Sequence, residues 1–364
     1  MSIQNNYVAI MAGGIGSRFW PVSKTRMPKQ FLDMLGVGRT LIQSTYDRFK
    51  HIIPQENIFI ITNRLYVDIV RQQIPDIPDC NILREPFRKN TAPTASFATY
   101  KIKAVNPDAN ILFTPSDQLI TDERSYERNI YEAFDFVNRN DSILTFGIKP
   151  NRPEVNYGYI QFEQAEDSQD DKILKVKTFT EKPNLELAKT FLKSGDFLWN
   201  SGILAWNANT FVKILERSLP DLYDVFQQIE TVIGTPGEVQ DIEHLYMQCT
   251  NVSIDYGILE RNNSVYVLPA YFGWTDLGNW DAIYNNVEKD YLGNAVLGSR
   301  DVLVIDANNC LVRLPEGKTA ILQGLENFIV VDSEDALLIC HKSNRHQIKN
   351  YLSELRRNFG DKYL

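Results

Sequence analysis

Apolar positions in the first half of the chain follow two alternating patterns. Short continuous apolar runs occupy 7–12, 57–62, 109–114 and 142–148, with a weaker one at 81–84. Runs of this length, bounded by turn residues, predict buried strands. Between them, 40–49, 64–74, 91–105 and 123–138 repeat apolar residues every three or four positions, which is one face of a helix. Pro75 stops the second of these helices. Thr91 is a candidate N-cap for the third, with Pro93 in its first turn, where proline is tolerated. Strand and helix alternating in this way predict an α/β sandwich with a mostly parallel sheet. Ligands of such sheets gather beyond the carboxyl ends of the strands, and Gly13-Gly14 and Asp117 both fall there.

The pattern then changes twice. Strand-like runs at 157–162, 173–180 and 198–206 make the middle richer in β-structure, with helical spacing at 185–192 and in several segments between 210 and 248. After about Tyr291, short β-like runs at 302–305, 310–314, 319–322, 328–331 and 336–340 recur with turn residues between them. They predict a small all-β appendage, closed by a helix over 345–357.

Charge adds a local signal. Lys and Arg total 38 against 46 Asp and Glu, a net charge of −8, which argues against a polymeric nucleic-acid partner. Yet Arg18, Lys24, Arg26 and Lys29 all precede the first acidic residue, Asp33. Four cations without local acids repel one another, and a bound polyphosphate relieves that repulsion. Cys80, Cys249, Cys310 and Cys340 are far apart, with no CxxC pair, so reduced thiols are expected. No apolar run approaches the ~18 residues of a membrane span, and the N-terminus lacks a secretory pattern. A cytoplasmic protein without membrane partners is expected.

The cationic segment opens with Gly13-Gly14-Ile15-Gly16-Ser17-Arg18 directly after a predicted strand. Glycines allow positive φ and close approach of backbone N–H groups to an anion. The spacing is neither that of a P-loop, which ends in Gly-Lys-Ser/Thr, nor that of a dinucleotide fingerprint. Two aspartates in distant segments, Asp117 and Asp276, suit Mg²⁺, which takes few carboxylates and completes its octahedron with water and phosphate oxygens. Each could equally be a turn or cap residue, Asp276 especially, because 278–287 has helical character. Glu181-Lys182 could meet a sugar and its phosphate, or form an ordinary surface pair. Asn200 could bond hydroxyls or simply complete a turn. Gly158 could admit a sugar or mark a strand bulge. The segment 88–93 could meet a nucleotide at a helix start or merely cap it. There is no GxSxG or HExxH motif, so covalent and zinc-dependent mechanisms lack support.

Taken together, the opening Gly13–Ser23, the following Pro28-Lys29-Gln30-Phe31, and the ordered blocks at 88–93, 114–120, 179–183, 199–202, 253–260 and 273–280 resemble the sugar-1-phosphate nucleotidyltransferases. The PKQF ending and the WTDLGNW block resemble the branch that uses mannose 1-phosphate and GTP. The likeness spans 7 to about 285 and, more weakly, the remainder. It implies a Rossmann-like, GT-A-like catalytic domain over 1–287, with a mixed, mostly parallel sheet flanked by helices. It also implies a short left-handed β-helix with a terminal helix over 288–364. The implied reaction is Mg²⁺-dependent formation of GDP-mannose and pyrophosphate from GTP and mannose 1-phosphate. Other implied possibilities are glucose 1-phosphate with dTTP or UTP, or a non-catalytic regulatory relative.

By the same resemblance, Gly13, Gly14, Gly16, Arg18 and Lys29 hold the nucleotide phosphates, and Asn90 and Thr91 lie near the nucleoside. Asp117 and Asp276 bind Mg²⁺. Gly158, Glu181 and Asn200 hold the sugar, and Lys182 its phosphate. Arg18, Lys29, Asp117, Lys182 and Asp276 form the catalytic set. Where many relatives have Ala-Asp-His, this chain has Ser116-Asp117-Gln118, keeping the aspartate but not the histidine, and Thr94 replaces a common alanine. Dimerisation is an expectation at the level of the family. The chain ends before the phosphomannose isomerase domain of bifunctional relatives could fit, so no isomerase activity is expected.

Overall fold

A computed structural model describes residues 3–163 and 172–364. In chain order its first strands are β1 (Asn6–Met11), β2 (Ile58–Asn63), β3 (Ile82–Glu85), β4 (Asn110–Pro115), β5 (Gln118–Ile120), β6 (Ile143–Ile148), β7 (Gly158–Phe162), β8 (Leu174–Glu181), β9 (Phe197–Asn207), β10 (Val265–Ala270) and β11 (Trp274–Asp276). By contact the chain divides into two compact units: residues up to 13 with 46–116 and 120–274, and residues 14–45 with 117–119 and 275–364.

The first unit holds a nine-stranded sheet in the order β3-β2-β1-β4-β9-β6-β10-β8-β7. The alternating first half supplies its parallel part: β1 runs parallel to β2 and β4, and β2 to β3. β6 and β10 are also parallel to each other. The β-rich middle supplies the antiparallel strands. β9 runs against β4, β6 and β7, and β8 pairs antiparallel with both β7 and β10.

The central strands are buried along nearly their whole length, as expected for a sheet covered on both faces. The helix Thr91–Val105 packs with the helices Ala208–Ser218 and Pro220–Val232. Trp206 of β9 stacks on Phe211 at 4.6 Å, and its Nε1 donates to Thr99 Oγ1 at 3.0 Å. The helix Glu123–Arg139 packs against β4, β6, β9 and β10.

In the second unit, β12 (Ala295–Gly298), β14 (Leu311–Leu314) and β16 (Phe328–Asp332) stack in parallel, as do β13 (Val302–Ile305) and β15 (Ala320–Gln323). Each coil adds one rung to each stack, which is the architecture of a β-helix. The last strand, β17 (Leu337–His341), reverses onto β16 and ends the parallel stack. The glycine-rich segment belongs to this unit. Phe19 and Met34 share its core with Leu277, Trp280, Leu311 and Ile329, and Phe19 meets Trp280 edge-on at 5.1 Å.

Three local expectations need correction. The cap of the helix Thr91–Val105 is Asn90, whose side chain accepts from Thr91 N, while the Thr91 hydroxyl accepts from Ile254 N. Asn90 can take this place because asparagine tolerates its positive φ of 73°. The helix after Asp276 is Trp280–Asn285, and its cap is Asn279, not Asp276. The terminal helix is Ile348–Phe359, preceded by a 3₁₀ turn at Lys342–Gln347 that takes up the expected start.

Candidate active site

Each unit carries its own part of the predicted site. In the second unit, the glycine-rich loop turns at Gly16, where φ is +66°. A Cβ there would lie 2.8 Å from both Lys29 Cγ and Ser23 Oγ, so only glycine fits. Ser23 Oγ donates to Ile15 O at 3.0 Å, and Gln30 Nε2 to Gly14 O at 2.9 Å. These bonds fix the loop without using its own N–H groups. Gly14 has open space where a side chain would be.

The loop brings its cations to the segment Asp276–Gly278. Lys29 is buried, with Nζ 2.9 Å from Asp117 Oδ2, and it donates to Leu277 O at 2.8 Å. Its ammonium also lies 5.4 Å from the centre of the Phe19 ring. Exposed Arg18 reaches Gly278 O at 3.5 Å. The Asp276 carboxylate folds over Gly278, where an added Cβ would come within 2.8 Å of Oδ2. β5 and β11 pair as a small sheet, which sets Asp117 just before one strand and Asp276 at the end of the other. Arg18, Lys29, Asp117 and Asp276 thus gather around one short stretch of backbone.

Lys24 and Arg26 do not join them. Buried Lys24 pairs with Asp335, and Arg26 pairs with Glu334 at 3.5 Å. The expectation that all four cations cradle a polyphosphate is therefore corrected: Lys24 and Arg26 are held by acids. Two of the four cations are neutralised by acids some 300 residues away, which a local reading of charge cannot see.

The first unit holds the other cluster. Gly158 of β7 lies opposite Glu181 of β8, and a Cβ on Gly158 would stand 2.6 Å from Glu181 Oε2 and 3.4 Å from Asn200 Cβ. Glu181 pairs with Lys182, whose φ is +48°. Asn200 is engaged at both ends of its amide, with one Nδ2 hydrogen left over. Its Oδ1 accepts from Thr145 Oγ1 at 2.9 Å and Gly202 N at 3.2 Å, and its Nδ2 donates to Asp255 Oδ1 at 3.1 Å. Asp255 opens a π-helical turn, Asp255–Leu259, a rare local geometry that recurs at functional sites. Burial, and then the charge of Glu181, push its carboxyl up to about 7. Glu260 is raised for the same two reasons. Sequence reasoning saw the 253–260 block but gave Asp255 no role, because only folding brings it beside Asn200 and Glu181.

A third group surrounds the end of β1. Arg88 Nε donates to Gly13 O at 3.1 Å, and its Nη2 to Tyr66 Oη at 2.5 Å. Buried Glu85 accepts from Tyr246 Oη at 2.7 Å and from Thr94 Oγ1, and its Oε2 lies 3.6 Å from where a Gly13 Cβ would stand. Burial raises its pKa, countered in part by those two hydroxyls. This acid was also missed. Thr94, noted in the sequence only as a departure from a common alanine, is one of its donors.

A nucleotidyl transferase model matches residues 7–292, and a model of the mannose-phosphate isomerase/GMP-like β-helix domain matches 300–355. The chain belongs to the nucleotidyl transferase family. It is 34% identical over 349 residues to the alginate biosynthesis protein AlgA of Pseudomonas aeruginosa, covering 95% of this chain and 71% of that protein. It is 33% identical over 353 residues to a mannose-1-phosphate guanylyltransferase of Salmonella montevideo, covering 95% and 73%. Among solved structures it matches a Thermus thermophilus protein described as a mannose-1-phosphate geranyltransferase, with a TM-score of 0.86 and 27% identity over 97% of this chain and 99% of that one. The fold expected from the sequence is thus that of the family, with a C-terminal β-helix domain. No helix among the described residues is long and apolar enough to cross a membrane.

Proposed function

We propose that this nucleotidyltransferase makes GDP-mannose and pyrophosphate from GTP and mannose 1-phosphate. What carries the reading is the gathering of Lys29, Arg18, Asp117 and Asp276 around Leu277–Gly278, in a chain whose named relatives include mannose-1-phosphate guanylyltransferases. A phosphate oxygen of the sugar attacks the α-phosphorus of GTP. The bond from that phosphorus to the bridging oxygen breaks, and its electron pair leaves with pyrophosphate. The nucleophile is already ionised, so catalysis consists of positioning and charge stabilisation.

Arg18 and Lys29 stabilise the departing pyrophosphate, with the loop Gly13-Gly14-Ile15-Gly16 open to phosphate oxygens. Lys182 cancels the charge of the sugar phosphate. Gly158, Glu181 and Asn200 hold the sugar, and Asp255 is added to them as the acceptor that orients Asn200. Asn90 and Thr91 lie near the nucleoside. No group of three or more His, Cys, Asp or Glu among the described residues could hold a metal. Two carboxylates without a third protein ligand fit Mg²⁺, which takes its remaining ligands from water and phosphate. Asp117 and Asp276 would hold it, and it would supply positive charge at the reacting phosphates. A cytoplasmic location and a homodimer complete the proposal.

A panel of sugar 1-phosphates against nucleoside triphosphates, read by pyrophosphate release with Mg²⁺, tests it. Turnover should be greatest with mannose 1-phosphate and GTP. Preference for glucose 1-phosphate with dTTP or UTP would assign a sister activity, and no turnover with any pair would point to a non-catalytic relative.

A further inference from the structure

We propose a second, non-catalytic site for a phosphorylated sugar, in a cavity of about 670 Å³ lined by Lys213, Arg217, Arg261 and Asn262. Its walls are the turn before β6, the later part of the helix Ala208–Ser218, and the loop 261–264 that enters β10. Ile143 N bonds Ser264 O at 3.0 Å, so the cavity sits where β6 and β10 begin. β9 runs against both β4 and β6, which gives β6 and β10 the direction of β4 and β1. The cavity therefore opens at the end of the strands opposite the one where β1 runs into Gly13.

Its chemistry is that of an anion site. Three cations face one carboxylate, in a protein whose net charge is −8. Asp141 is already engaged, by Thr210 Oγ1 at 2.9 Å and Lys213 Nζ at 3.3 Å. Neither guanidinium, of Arg217 or of Arg261, makes a hydrogen bond or close ion pair among the described residues; Arg217 acts on Asp141, and Arg261 on Glu260, only through their charge. Asn262 is the decisive residue. Its Oδ1 accepts from Ser264 N at 2.9 Å, which sets the amide orientation, and its Nδ2 is buried with no acceptor. A buried donor left unsatisfied is costly, and an acceptor oxygen on a ligand relieves it.

The lining also narrows the ligand. Arginine forks suit phosphate, while the amides of Asn262 and Asn263 and the hydroxyls of Ser218 and Ser264 suit a polyhydroxylated body. No aromatic side chain lines the cavity, so it offers no surface on which a nucleobase could stack. A hexose bearing phosphate away from its anomeric carbon fits this description and cannot serve as the nucleophile of the proposed reaction. Nothing in this cavity depends on the catalytic assignment.

Calorimetric titration of the full chain with glucose 6-phosphate tests the site, with inorganic phosphate as the second arm. One saturable site is expected, tighter for glucose 6-phosphate. Arg217→Glu with Arg261→Glu should weaken it at least about tenfold, the scale of losing charge-assisted contacts, and Asn262→Ala should also weaken it. Both guanidiniums are exposed, so basal turnover and melting temperature should stay at wild-type values. Lys189→Glu with Lys193→Glu, on the helix Leu185–Ser194, makes the same change in net charge and should leave binding intact. Equal weakening by that control, unchanged affinity in the arginine variant, full displacement by mannose 1-phosphate, or no saturable binding would overturn the site. Equal affinity for inorganic phosphate would overturn its assignment to a sugar.

Discussion

Lys29 Nζ stands 2.9 Å from Asp117 Oδ2 while also donating to Leu277 O at 2.8 Å. A cation expected on phosphate and an acid expected on metal thus neutralise each other. In the proposed reaction Lys29 would bond phosphate oxygens and Asp117 would hold Mg²⁺. Asp117→Ala or Asp276→Asn should then lower turnover by about 10²-fold or more, the scale of losing an electrostatic stabiliser; Asp276→Asn should melt like the wild type, while Asp117→Ala, which leaves the buried Lys29 ammonium without its acid, should also melt lower. Chelation should abolish turnover and added Mg²⁺ restore it. Steady-state kinetics beside thermal unfolding checks all three outcomes, and normal activity in both variants would remove the metal assignment.

Gly16 and Gly14 separate conformation from ligand contact. Gly16→Ala forces a positive φ of 66° on a residue with a Cβ and drives that Cβ to 2.8 Å from Lys29. Left-handed backbone alone costs about 1–2 kcal/mol, so stability and GTP affinity should both fall. Gly14→Ala meets nothing within 4 Å. It should melt like the wild type, and any rise in the KM for GTP then reports a clash with the nucleotide.

Asp255 predicts a pH dependence of stability. Its folded pKa, about 7, lies above the ordinary carboxylate value of 3.8. Between those values the folded chain binds more proton at this site than the unfolded chain does, so its contribution to stability falls as pH rises through the window. Asp255→Asn removes that slope. The stability difference between variant and wild type should therefore shift in favour of the variant from about pH 4 to pH 7, as read by denaturant unfolding at several pH values. The KM for mannose 1-phosphate should rise in the same variant if Asp255 orients Asn200.

Lys24 should behave as a structural residue. It is buried and paired with Asp335, an acid about one-third exposed. Lys24→Met leaves that acid partly solvated, so the loss should be about 1–3 kcal/mol, below the range for a fully buried pair. The melting temperature should fall by several degrees while the KM for GTP stays within about threefold, less than one lost charge-assisted bond to phosphate. A large rise in that KM with unchanged melting would return Lys24 to the phosphate site.

Much of the first unit could be read from local pattern. The helix expected over 91–105 is Thr91–Val105, and the apolar runs became β1, β2, β4 and β6. Here the local signal is strong, because strands buried on both faces carry continuous apolar runs. Strand direction was less legible: β9 reads as a strand, but nothing in its residues says that it lies antiparallel between β4 and β6. Caps were unreliable within a residue or three, since Asn90 and Thr91 are both competent and only backbone geometry chooses between them.

By itself the sequence determined the two architectures, the motif blocks and the residue types available to phosphate, sugar and metal. Those properties follow from periodicity and from side-chain chemistry, both carried by neighbouring residues. Tertiary structure decided how the charges are spent. Arg18, Lys24, Arg26 and Lys29 look alike in the chain, yet Lys24 and Arg26 are held by Asp335 and Glu334, while Lys29 reaches Asp117 and Leu277. It also placed Asp255 beside Asn200 and left Asn262 Nδ2 buried without an acceptor. The energy of a charge or a donor depends on what lies within a few ångströms of it, and for these residues those neighbours come from distant parts of the chain.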